Sequence, residues 1–203
     1  MKTAWYNNDI LPQEMIKAAK GITWGFKLEN APHFPVLQEA ILACRDSETI
    51  IDIGCGAGEV GRVFNQFKYT GIDLNHIVEN VAKKQNKDLT YLSFDAYESS
   101  FEFCKEYDIV LCNSFLSEIE FPTKILNKIL TNAKKYVVIH RQKYTNEEQV
   151  FEAFTYGGLR SPQYSISTIE FNKIIKNNFT PLYNKQVDDT PNYSTIVLQK
   201  IQK

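Results

Sequence analysis

Three glycines spaced two residues apart, Gly54, Gly56 and Gly58, are the first candidates for chemistry in this sequence. They follow an apolar, β-branched run at residues 50–53, which predicts a buried strand. Between positions 60 and 67 apolar residues recur with the spacing of one helix face. A glycine turn between a strand and a helix lets a nucleotide-type ligand approach the backbone closely and reach the N–H groups of the helix start.

The spacing of these glycines narrows the kind of ligand. A dinucleotide fingerprint has the spacing Gly-x-Gly-x-x-Gly, whereas here the third glycine comes one residue early and Glu59 takes the place of the last glycine. A carboxylate at that position would face a pyrophosphate. No Gly-Lys-Ser/Thr follows the turn, so the P-loop pattern is absent as well. These residues argue against a phosphate-bearing ligand.

The stretch from Asp52 to Gly58, Asp-Ile-Gly-Cys-Gly-Ala-Gly, resembles motif I of the class I S-adenosylmethionine-dependent methyltransferases. The ligand of that family carries an amine, a carboxylate and a sulfonium but no phosphate, so the acidic Asp52 and Glu59 are tolerated. The next predicted strand, residues 69–73, ends in Asp73, at the spacing where nucleotide-binding α/β folds place an acid for the ribose hydroxyls. The resemblance covers residues 50–142 well and the flanks by topology only.

The resemblance implies S-adenosyl-L-methionine as the cofactor. In that family a polar residue after the third strand contacts the adenine amino group, which Asp95 and Ala96 fit, although Asp95 could equally be a helix N-cap. The fourth strand, residues 107–112, would end beside the methyl group at Asn113. The predicted cofactor-binding residues are Asp52, Gly54, Cys55, Gly56, Gly58, Asp73, Leu74, Asp95, Ala96 and Asn113.

His140 is the candidate general base. It lies near the end of an otherwise apolar predicted strand, residues 135–142, at the edge where the methyl group would lie, and a neutral imidazole can accept a proton near working pH. A hydrogen bond to a neighbouring carbonyl is an equally good interpretation of this histidine. Arg141 or Arg160 would orient an anionic or polar group of the acceptor, because a guanidinium offers a planar fork of donors.

The residues after the fourth strand also bear on the substrate. Glu118 stands where many small-molecule members of the family carry histidine, and Glu118 and His33 are reserve candidates for the base. The Asn/Asp-Pro-Pro-Tyr/Phe signature of amino-methylating nucleic-acid enzymes is absent, which argues against adenine-N6 or glutamine-N substrates. The predicted catalytic residues are His140, Glu118 and Arg141.

The segment between the fifth strand and its helix, residues 143–165, is predicted to be a substrate lid. It is rich in aromatic residues, contains Gly157 and Gly158 as a hinge, and emerges at the ligand-binding edge of the sheet. Thr145 and Glu148 have capping-box spacing, which predicts a short helix over residues 146–154. A packed surface helix is the alternative. The predicted substrate-binding residues are Trp24, His33, Tyr144, Tyr156, Arg160 and Tyr164.

The resemblance implies one methyltransferase domain over residues 1–203. Residues 1–48 are predicted to be a helical cap, in which either Trp24 and Phe34 pack on the core or Trp5, Tyr6 and Trp24 close over the ligands. Residues 49–142 are the predicted cofactor-binding core. Residues 166–203 are predicted to supply a helix, with Ser167 and Glu170 in capping-box spacing at its start, and two strands joined by a loop at residues 188–192. The predicted fold is α/β, with a Rossmann-like, seven-stranded, mostly parallel sheet, helices on both faces and an antiparallel C-terminal strand.

Composition limits the partners. With 203 residues, 43% apolar residues and a net charge of −1, the chain fits one globular domain without a basic field for nucleic acid or membrane. No apolar run approaches the length of a membrane span. The four cysteines and three histidines form no zinc pattern, so no metal is predicted, and unpaired thiols favour a cytoplasmic location. The sequence leaves the oligomeric state open.

The resemblance, together with the lid, implies methyl transfer to a small molecule, by in-line displacement onto a hydroxyl of a sugar or natural-product-like metabolite. Two alternatives remain. One is a methyltransferase of protein or RNA, although the near-zero charge disfavours RNA. The other is a catalytically silent cofactor-binding subunit, which the intact glycine motif and Asp73 disfavour.

Overall fold

The computed structural model describes residue 5 and residues 9–154, 156–187 and 192–202. Tyr6, one of the residues expected to close the site, lies outside the described residues, as do residues 188–191 of the predicted loop between the last two strands. Among the described residues before the first strand there are two α-helices.

Within this part of the chain, the helices and strands alternate over most of the length. The helices are α1 (Leu11–Ala19), α2 (Phe34–Ala43), α3 (Glu59–Val63), α4 (Asn75–Ile77), α5 (Lys83–Gln85), α6 (Pro122–Asn132) and α7 (Thr168–Ile175), with a π-helix at Val78–Ala82 and 3-10 turns at Leu28–Asn30, Glu102–Glu106, Leu116–Glu118 and Tyr156–Gly158. The strands are β1 (Thr49–Ile53), β2 (Lys68–Asp73), β3 (Thr90–Ser93), β4 (Ile109–Asn113), β5 (Tyr136–Thr145), β6 (Val150–Phe154), β7 (Arg160–Tyr164), β8 (Ile166–Ser167), β9 (Phe179–Gln186) and β10 (Tyr193–Lys200).

The main sheet has the order β3-β2-β1-β4-β5-β10-β9, and the two-residue strand β8 pairs with the end of β5. The first five strands of this order are parallel to one another, whereas β10 is antiparallel to both β5 and β9. The predicted Rossmann-like sheet with an antiparallel C-terminal strand is therefore confirmed, and β8 adds an eighth, short strand to it.

Both faces of the sheet are buried. Along β1, Ile51 and Ile53 pack into one cluster of core side chains, and Ile50 packs into another on the opposite face. In β4, Val110 and Leu111 divide between the two clusters in the same way. This alternation follows from the pleat of a strand, and burial on both sides explains why these strands are almost continuously apolar.

The parallel strands bring the predicted site residues to one edge. The register pairs Ile53 of β1 with Ile72 of β2 and with Cys112 of β4, and it pairs Asn113 with His140. The chain leaves β1 toward β2 on one side and leaves β4 toward β5 on the other. A crevice opens at such a switch in strand order, outside the carboxyl ends of the strands.

The prediction of a helix over residues 146–154 is wrong, because Val150–Phe154 is strand β6, which pairs with β7 in an antiparallel hairpin. Thr145 extends β5 beyond its predicted end, and its hydroxyl bonds to the Glu147 carbonyl and the Ser165 hydroxyl instead of capping a helix. Exposure along β6 alternates from one residue to the next, as on a strand. The predicted cap of α7 is confirmed, because Ser167 Oγ accepts from the Glu170 N–H at 3.4 Å.

Candidate active site

A cavity of about 440 Å³ lies at the carboxyl edge of the sheet. Its volume falls in the range of about 300–1,000 Å³ that is usual for ligand sites. One end reaches the glycine turn after β1, and the other end is covered by the N-terminal segment and the β6–β7 hairpin. The lining includes Trp5, Trp24, His33, Gly54, Cys55, Gly56, Glu59, Asp73, Leu74, Phe94, Ala96, Tyr97, Asn113, Phe115, Glu118, Arg141, Tyr156, Gln163 and Tyr193.

The glycine turn requires glycine at each of its three positions. Gly54, Gly56 and Gly58 have φ angles of 74°, 53° and 74°, in the left-handed region that side chains disfavour. A Cβ on Gly54 would lie 2.8 Å from a ring carbon of Phe115, and one on Gly58 would overlap the Tyr91 hydroxyl. Gly54 and Gly56 present bare backbone to the cavity, whereas Gly58, also predicted to bind the cofactor, does not line it and packs against Tyr91.

Asp73, at the end of β2, forms the second part of the cavity end that contains the glycine turn. Its carboxylate accepts hydrogen bonds from the Gly56 N–H at 2.8 Å and from the Leu74 N–H at 2.7 Å, so it ties the glycine turn to the end of β2. Burial raises the pKa of Asp73 to about 6. Each oxygen retains a lone pair for a further donor, and Asp73 lines the cavity. This arrangement fits a ribose diol.

The next part of the wall is formed by Leu74, Phe94, Ala96 and Tyr97. The carboxylate of Asp95 is not part of it, because Oδ1 accepts from the Tyr97 N–H at 3.0 Å and so closes a turn. The predicted pair Asp95 and Ala96 is thus split, with Ala96 in the wall and the Asp95 side chain shaping the backbone.

Asp52 was predicted to bind the cofactor, but its side chain is buried away from the cavity. It is 1% exposed and is not among the lining residues. The Tyr69 hydroxyl donates to Asp52 Oδ2 at 2.8 Å, and Oδ1 has no partner within the described ranges. Burial raises the pKa of Asp52 to about 7. Asp52 supports the strand beneath the turn, and the structure gives it no contact with the cavity.

Glu59 does line the cavity, at the start of α3. Arg62 donates to Glu59 Oε2 at 2.7 Å and also pairs with Glu29, while Asn86 donates to Glu59 Oε1 at 3.2 Å. These donors compensate the charge of Glu59, so the acidic helix start is neutralised within the protein.

Two histidines stand in line at the other end of the cavity. His33, just before α2, lines the cavity, and its Nδ1 lies 3.0 Å from Nε2 of His140. Nδ1 of His140 lies 2.7 Å from the hydroxyl of Thr195 in β10. His140 is 0% exposed, and burial, reinforced by the neighbouring His33 and Arg141, holds its pKa well below the usual value. His140, the predicted base, is thus separated from the cavity by His33, a reserve candidate.

A β-bulge in β5 brings Arg141 to the same histidine. Thr195 of β10 faces both His140 and Arg141, because the register between the strands shifts there by one residue. Arg141 has a φ angle of 57°, and its Nη1 lies 3.5 Å from His33 Nε2. Consecutive residues of a regular strand point to opposite faces, so the bulge is what allows both side chains to reach His33.

Glu118 is the centre of a second polar group. The Trp5 indole donates to Oε2 at 3.0 Å and the Gln163 amide donates to Oε1 at 2.6 Å, while the Tyr193 hydroxyl donates to Gln163 Oε1 at 2.8 Å. Burial raises the pKa of Glu118 to about 7. These bonds connect the N-terminal segment, the β6–β7 hairpin and β10 across the cavity.

The predicted substrate residues divide into two sets. Trp24, His33 and Tyr156 line the cavity, and the Trp24 and Tyr156 rings are 5.0 Å apart. The other three do not line it: Tyr144 packs on Phe171 of α7, Arg160 is exposed and pairs with Glu152, and Tyr164 is half-buried at the end of β7.

Gln163 and Tyr193 were not identified from the sequence. They follow no motif. Gln163 reaches the cavity through the β6–β7 hairpin, and Tyr193 reaches it through the pairing of β10 with β5. The β-branched and aromatic residues among positions 150–154 could have indicated a strand, although not the position of Gln163.

The described residues also bear on two other classes of site. No three His, Cys, Asp or Glu side chains converge there in a way that could hold a metal ion. None of the helices in the described ranges has the length and apolar character that crossing a membrane requires.

The fold and the cavity define an α/β enzyme with a nucleotide-type site at the carboxyl edge of its sheet. Residues 29–167 match the model of a family described as a methyltransferase domain, and the chain belongs to that family. The predicted class, the class I S-adenosylmethionine-dependent methyltransferases, is confirmed. No curated protein matches the sequence significantly.

Solved methyltransferases share the fold at low identity. An amino pentose methyltransferase from Micromonospora echinaspora, with S-adenosylmethionine bound, is 10% identical with a TM-score of 0.59, and the match covers 85% of this chain and 92% of that one. Magnesium protoporphyrin IX methyltransferase from Synechocystis PCC 6803 is 13% identical with a TM-score of 0.61, covering 93% and 97%. The 1,6-didemethyltoxoflavin-N1-methyltransferase from Burkholderia thailandensis is 14% identical with a TM-score of 0.63, covering 95% and 88%.

Proposed function

We propose that the protein transfers the methyl group of S-adenosyl-L-methionine to a hydroxyl oxygen of a small organic molecule. The observation that carries this proposal is the continuity of the cavity, which joins the glycine turn and Asp73 at one end to His33 and Arg141 at the other. A volume of about 440 Å³ suits a nucleoside cofactor together with a metabolite-sized acceptor. The solved relatives described above, whose names specify small-molecule acceptors, are consistent with this size.

The cofactor would lie along the end built from β1, β2 and β4. Asp73 would accept the ribose hydroxyls, Leu74 and Ala96 would contact the adenine, and the bare backbone at Gly54 and Gly56 would allow close approach of the methionine part. When bound, this group supplies a methyl carbon already activated by its sulfonium. The protein therefore has to position the acceptor and to remove its proton.

His33 is the best-placed base. A guanidinium can only donate, so His33 Nε2 accepts the contact from Arg141 and the proton of His33 sits on Nδ1. His33 Nδ1–H then donates to His140 Nε2, and His140 Nδ1–H donates to the Thr195 hydroxyl. Only this assignment satisfies all three contacts. It places a basic nitrogen at the cavity wall and leaves His140 to hold the ring.

The same chain of hydrogen bonds helps the protonated base. When His33 Nε2 takes a proton, Nδ1–H continues to donate to the neutral His140, whose low pKa keeps it from competing for that proton. A base oriented by a third group is the general arrangement for activating an oxygen nucleophile. This is why we place the base at His33, with His140 and Thr195 as its positioning residues.

Transfer from cofactor labelled with ¹³C in the methyl group tests the proposal. The protein is incubated with the small-molecule fraction and, separately, with the protein and RNA fractions of an extract. We expect the label in a low-mass product, with a carbon chemical shift typical of a methyl group on oxygen. Label in the polymer fraction would support the protein or RNA alternative. Binding of S-adenosylhomocysteine without any transfer would support the silent subunit.

A further inference from the structure

We infer that the acceptor is an anionic small molecule whose carboxylate binds Arg141, next to the hydroxyl from which His33 removes the proton. This inference rests on the methyl transfer proposed above and adds the chemical class of the acceptor. It comes from the unusual backbone, burial and pairing of Arg141, compared with the other charged side chains of the cavity.

Arg141 is held in a costly conformation. A left-handed backbone is strained for a residue with a side chain, and Arg141 has a φ angle of 57° at the bulge. Among the described residues, no atom accepts a hydrogen bond from its buried Nε, which adds a further cost. The one hydrogen bond of the guanidinium within those residues is the 3.5 Å contact with His33. Strain together with unused donors at a cavity wall is typical of a group that awaits a ligand.

Arg62 shows what a structural arginine looks like in the same protein. Its guanidinium donates to both Glu29 and Glu59, and these contacts raise its already high pKa further. Arg141 has no carboxylate within 4.0 Å in the described part of the chain. Its charge is therefore not compensated by an ion pair within the protein.

Glu118 does not take the place of the missing anion. Both of its oxygens already accept from neutral donors, the Trp5 indole and the Gln163 amide. Burial also raises the pKa of Glu118 to about 7, against a smaller lowering by the nearby charge of Arg141, so the group is charged only in part near neutral pH. An anionic group of the acceptor would give Arg141 the direct ion pair that it lacks among the described residues.

A carboxylate fits this position better than a phosphate. The planar fork of a guanidinium matches the two oxygens of a carboxylate, and a single guanidinium balances a single negative charge. A phosphate dianion would bring a second charge toward Glu118. The surrounding walls are formed by the rings of Trp5, Trp24 and Tyr156, which suit a flat organic body.

The carboxylate would also engage the base. Without an acceptor, Arg141 Nη1 points at His33 Nε2, the nitrogen that must take the proton. A carboxylate draws the guanidinium toward itself, and the neighbouring hydroxyl then approaches His33 Nε2. The hydroxyl oxygen then forms its bond to the methyl carbon as the carbon–sulfur bond breaks with its electron pair remaining on sulfur. The hydroxyl proton passes to His33 Nε2 and afterwards to water.

A pair of isosteric probes tests the inference without knowledge of the natural acceptor. Benzoate and benzamide have nearly the same shape and differ in charge. Their binding to the full-length protein, saturated with S-adenosylhomocysteine, is measured by calorimetry. We expect benzoate to bind at least about tenfold more tightly than benzamide, which corresponds to about 1.4 kcal/mol for a charge-assisted contact.

Variants locate the preference. Arg141→Gln should reduce the ratio of the two dissociation constants to about one, and Arg141→Lys should retain part of it, because lysine keeps the charge and loses the fork. Arg45→Gln, which changes an exposed arginine before β1 at the opposite edge of the sheet, is the matched control and should keep the full ratio. Equal affinities in the unmodified protein, binding of neither probe, or a preference that survives in Arg141→Gln would each overturn the inference.

The methyl-transfer assay separates this inference from the function on which it rests. A labelled product retained on an anion exchanger agrees with a free carboxylate beside the methylated hydroxyl. A labelled product that flows through overturns the inference while leaving methyl transfer in place. A preference for benzoate without any labelled product in the extract overturns the proposed function instead.

Discussion

The two ends of the cavity are built in different ways. The cofactor end uses backbone from two neighbouring strand ends, with Asp73 bonded to the N–H groups of Gly56 and Leu74. The acceptor end is built from side chains of widely separated segments, as in the contact between His33 and His140, which are 107 residues apart. One end is a local backbone motif, whereas the other is a product of tertiary packing.

This difference predicts that the two ends can be perturbed separately. Changes among the side chains of the acceptor end should alter turnover and acceptor binding while the affinity for S-adenosylhomocysteine stays the same. Changes at the backbone-supported end should do the opposite. The following predictions test this separation, from the largest expected effect to the smallest.

Replacing the proposed base should have the largest effect. His33→Asn retains a donor for His140 Nε2 and removes the nitrogen that faces the cavity. We expect kcat to fall by about 100- to 10,000-fold, the usual contribution of a general base, with less than about a twofold change in the dissociation constant of S-adenosylhomocysteine. Initial rates with the identified acceptor and calorimetry give the two quantities.

His140→Gln is the companion variant, because its amide can still accept from His33 while the bond to Thr195 is lost. A positioning role predicts a smaller loss, about tenfold in kcat, with a shift in the pH–rate profile. The opposite result would be a His140→Gln variant that is nearly inactive and a His33→Asn variant that stays active. That result would show that His140 is the base, as the sequence suggested.

The corresponding change at the cofactor end is Asp73→Ala. It removes an acceptor of the ribose hydroxyls and also two hydrogen bonds that hold the turn. We expect the dissociation constant of S-adenosylhomocysteine to rise by about 10- to 100-fold, since hydrogen bonds to a charged group contribute about 1.5–3 kcal/mol. Calorimetry at several pH values adds a check. Because the pKa of Asp73 is about 6, affinity in the unmodified protein should decline as the pH falls below that value.

Asp95→Asn is the comparison for Asp73→Ala. Asp95 was also predicted to bind the cofactor, but its carboxylate accepts a hydrogen bond from the Tyr97 N–H within a turn. An asparagine can accept the same bond, so the expected change in affinity is below about threefold. A loss as large as that of Asp73→Ala would mean that the Asp95 carboxylate itself contacts the adenine.

Arg141→Gly tests whether the bulge is strained for function. Glycine adopts a φ angle of 57° readily, and the substitution also removes the buried Nε that has no partner. We expect the free energy of unfolding to increase by up to about 1 kcal/mol while activity is lost. Chemical denaturation together with the methyl-transfer assay measures both. A clear loss of stability would instead make Arg141 a packing residue of the acceptor end.

The smallest expected effect concerns pH. Burial raises the pKa of Glu118 to about 7, so the folded protein binds a proton there more tightly than the unfolded chain does. The stability that this group contributes is present at low pH and is lost as the pH rises through 7. As the pH rises from about 5 to about 8, the free energy of unfolding of the unmodified protein should therefore decrease relative to that of Glu118→Gln.

Urea denaturation at several pH values measures this difference directly. Asp52 and Asp73 also have raised pKa values, but both are present in the two proteins compared, so their contributions cancel. A difference that does not change with pH would indicate that Glu118 keeps an ordinary pKa in the folded protein.

Much of the fold followed from the sequence. The apolar runs, the glycine spacing and the acid at Asp73 predicted the strand, turn and helix of the cofactor end, and the family resemblance that they support implied the parallel sheet and its antiparallel last strand. These features are local: a buried strand, a left-handed turn and a helix start each depend on residues within about ten positions. The confirmed cap at Ser167 has the same origin.

The sequence was misleading where two local signals competed. The Thr145–Glu148 spacing suggested a helix cap, but the hydroxyl of Thr145 pairs with Ser165 across the base of the β6–β7 hairpin. Pairing between strands compensates for a weak local preference, and a short capping pattern does not reveal a partner 20 residues away. Residues 146–154 were therefore assigned to the wrong secondary structure.

The sequence alone determined the class of cofactor site, because a glycine turn and a strand-end acid are encoded by spacing along one stretch of chain. Only the tertiary structure decided the acceptor end. His33, His140 and Thr195 form one line of hydrogen bonds across three distant segments, and a single bulge in β5 turns Arg141 toward the same point. A register shift between paired strands leaves no mark in the spacing of either strand, so packing decides which side chains meet the acceptor.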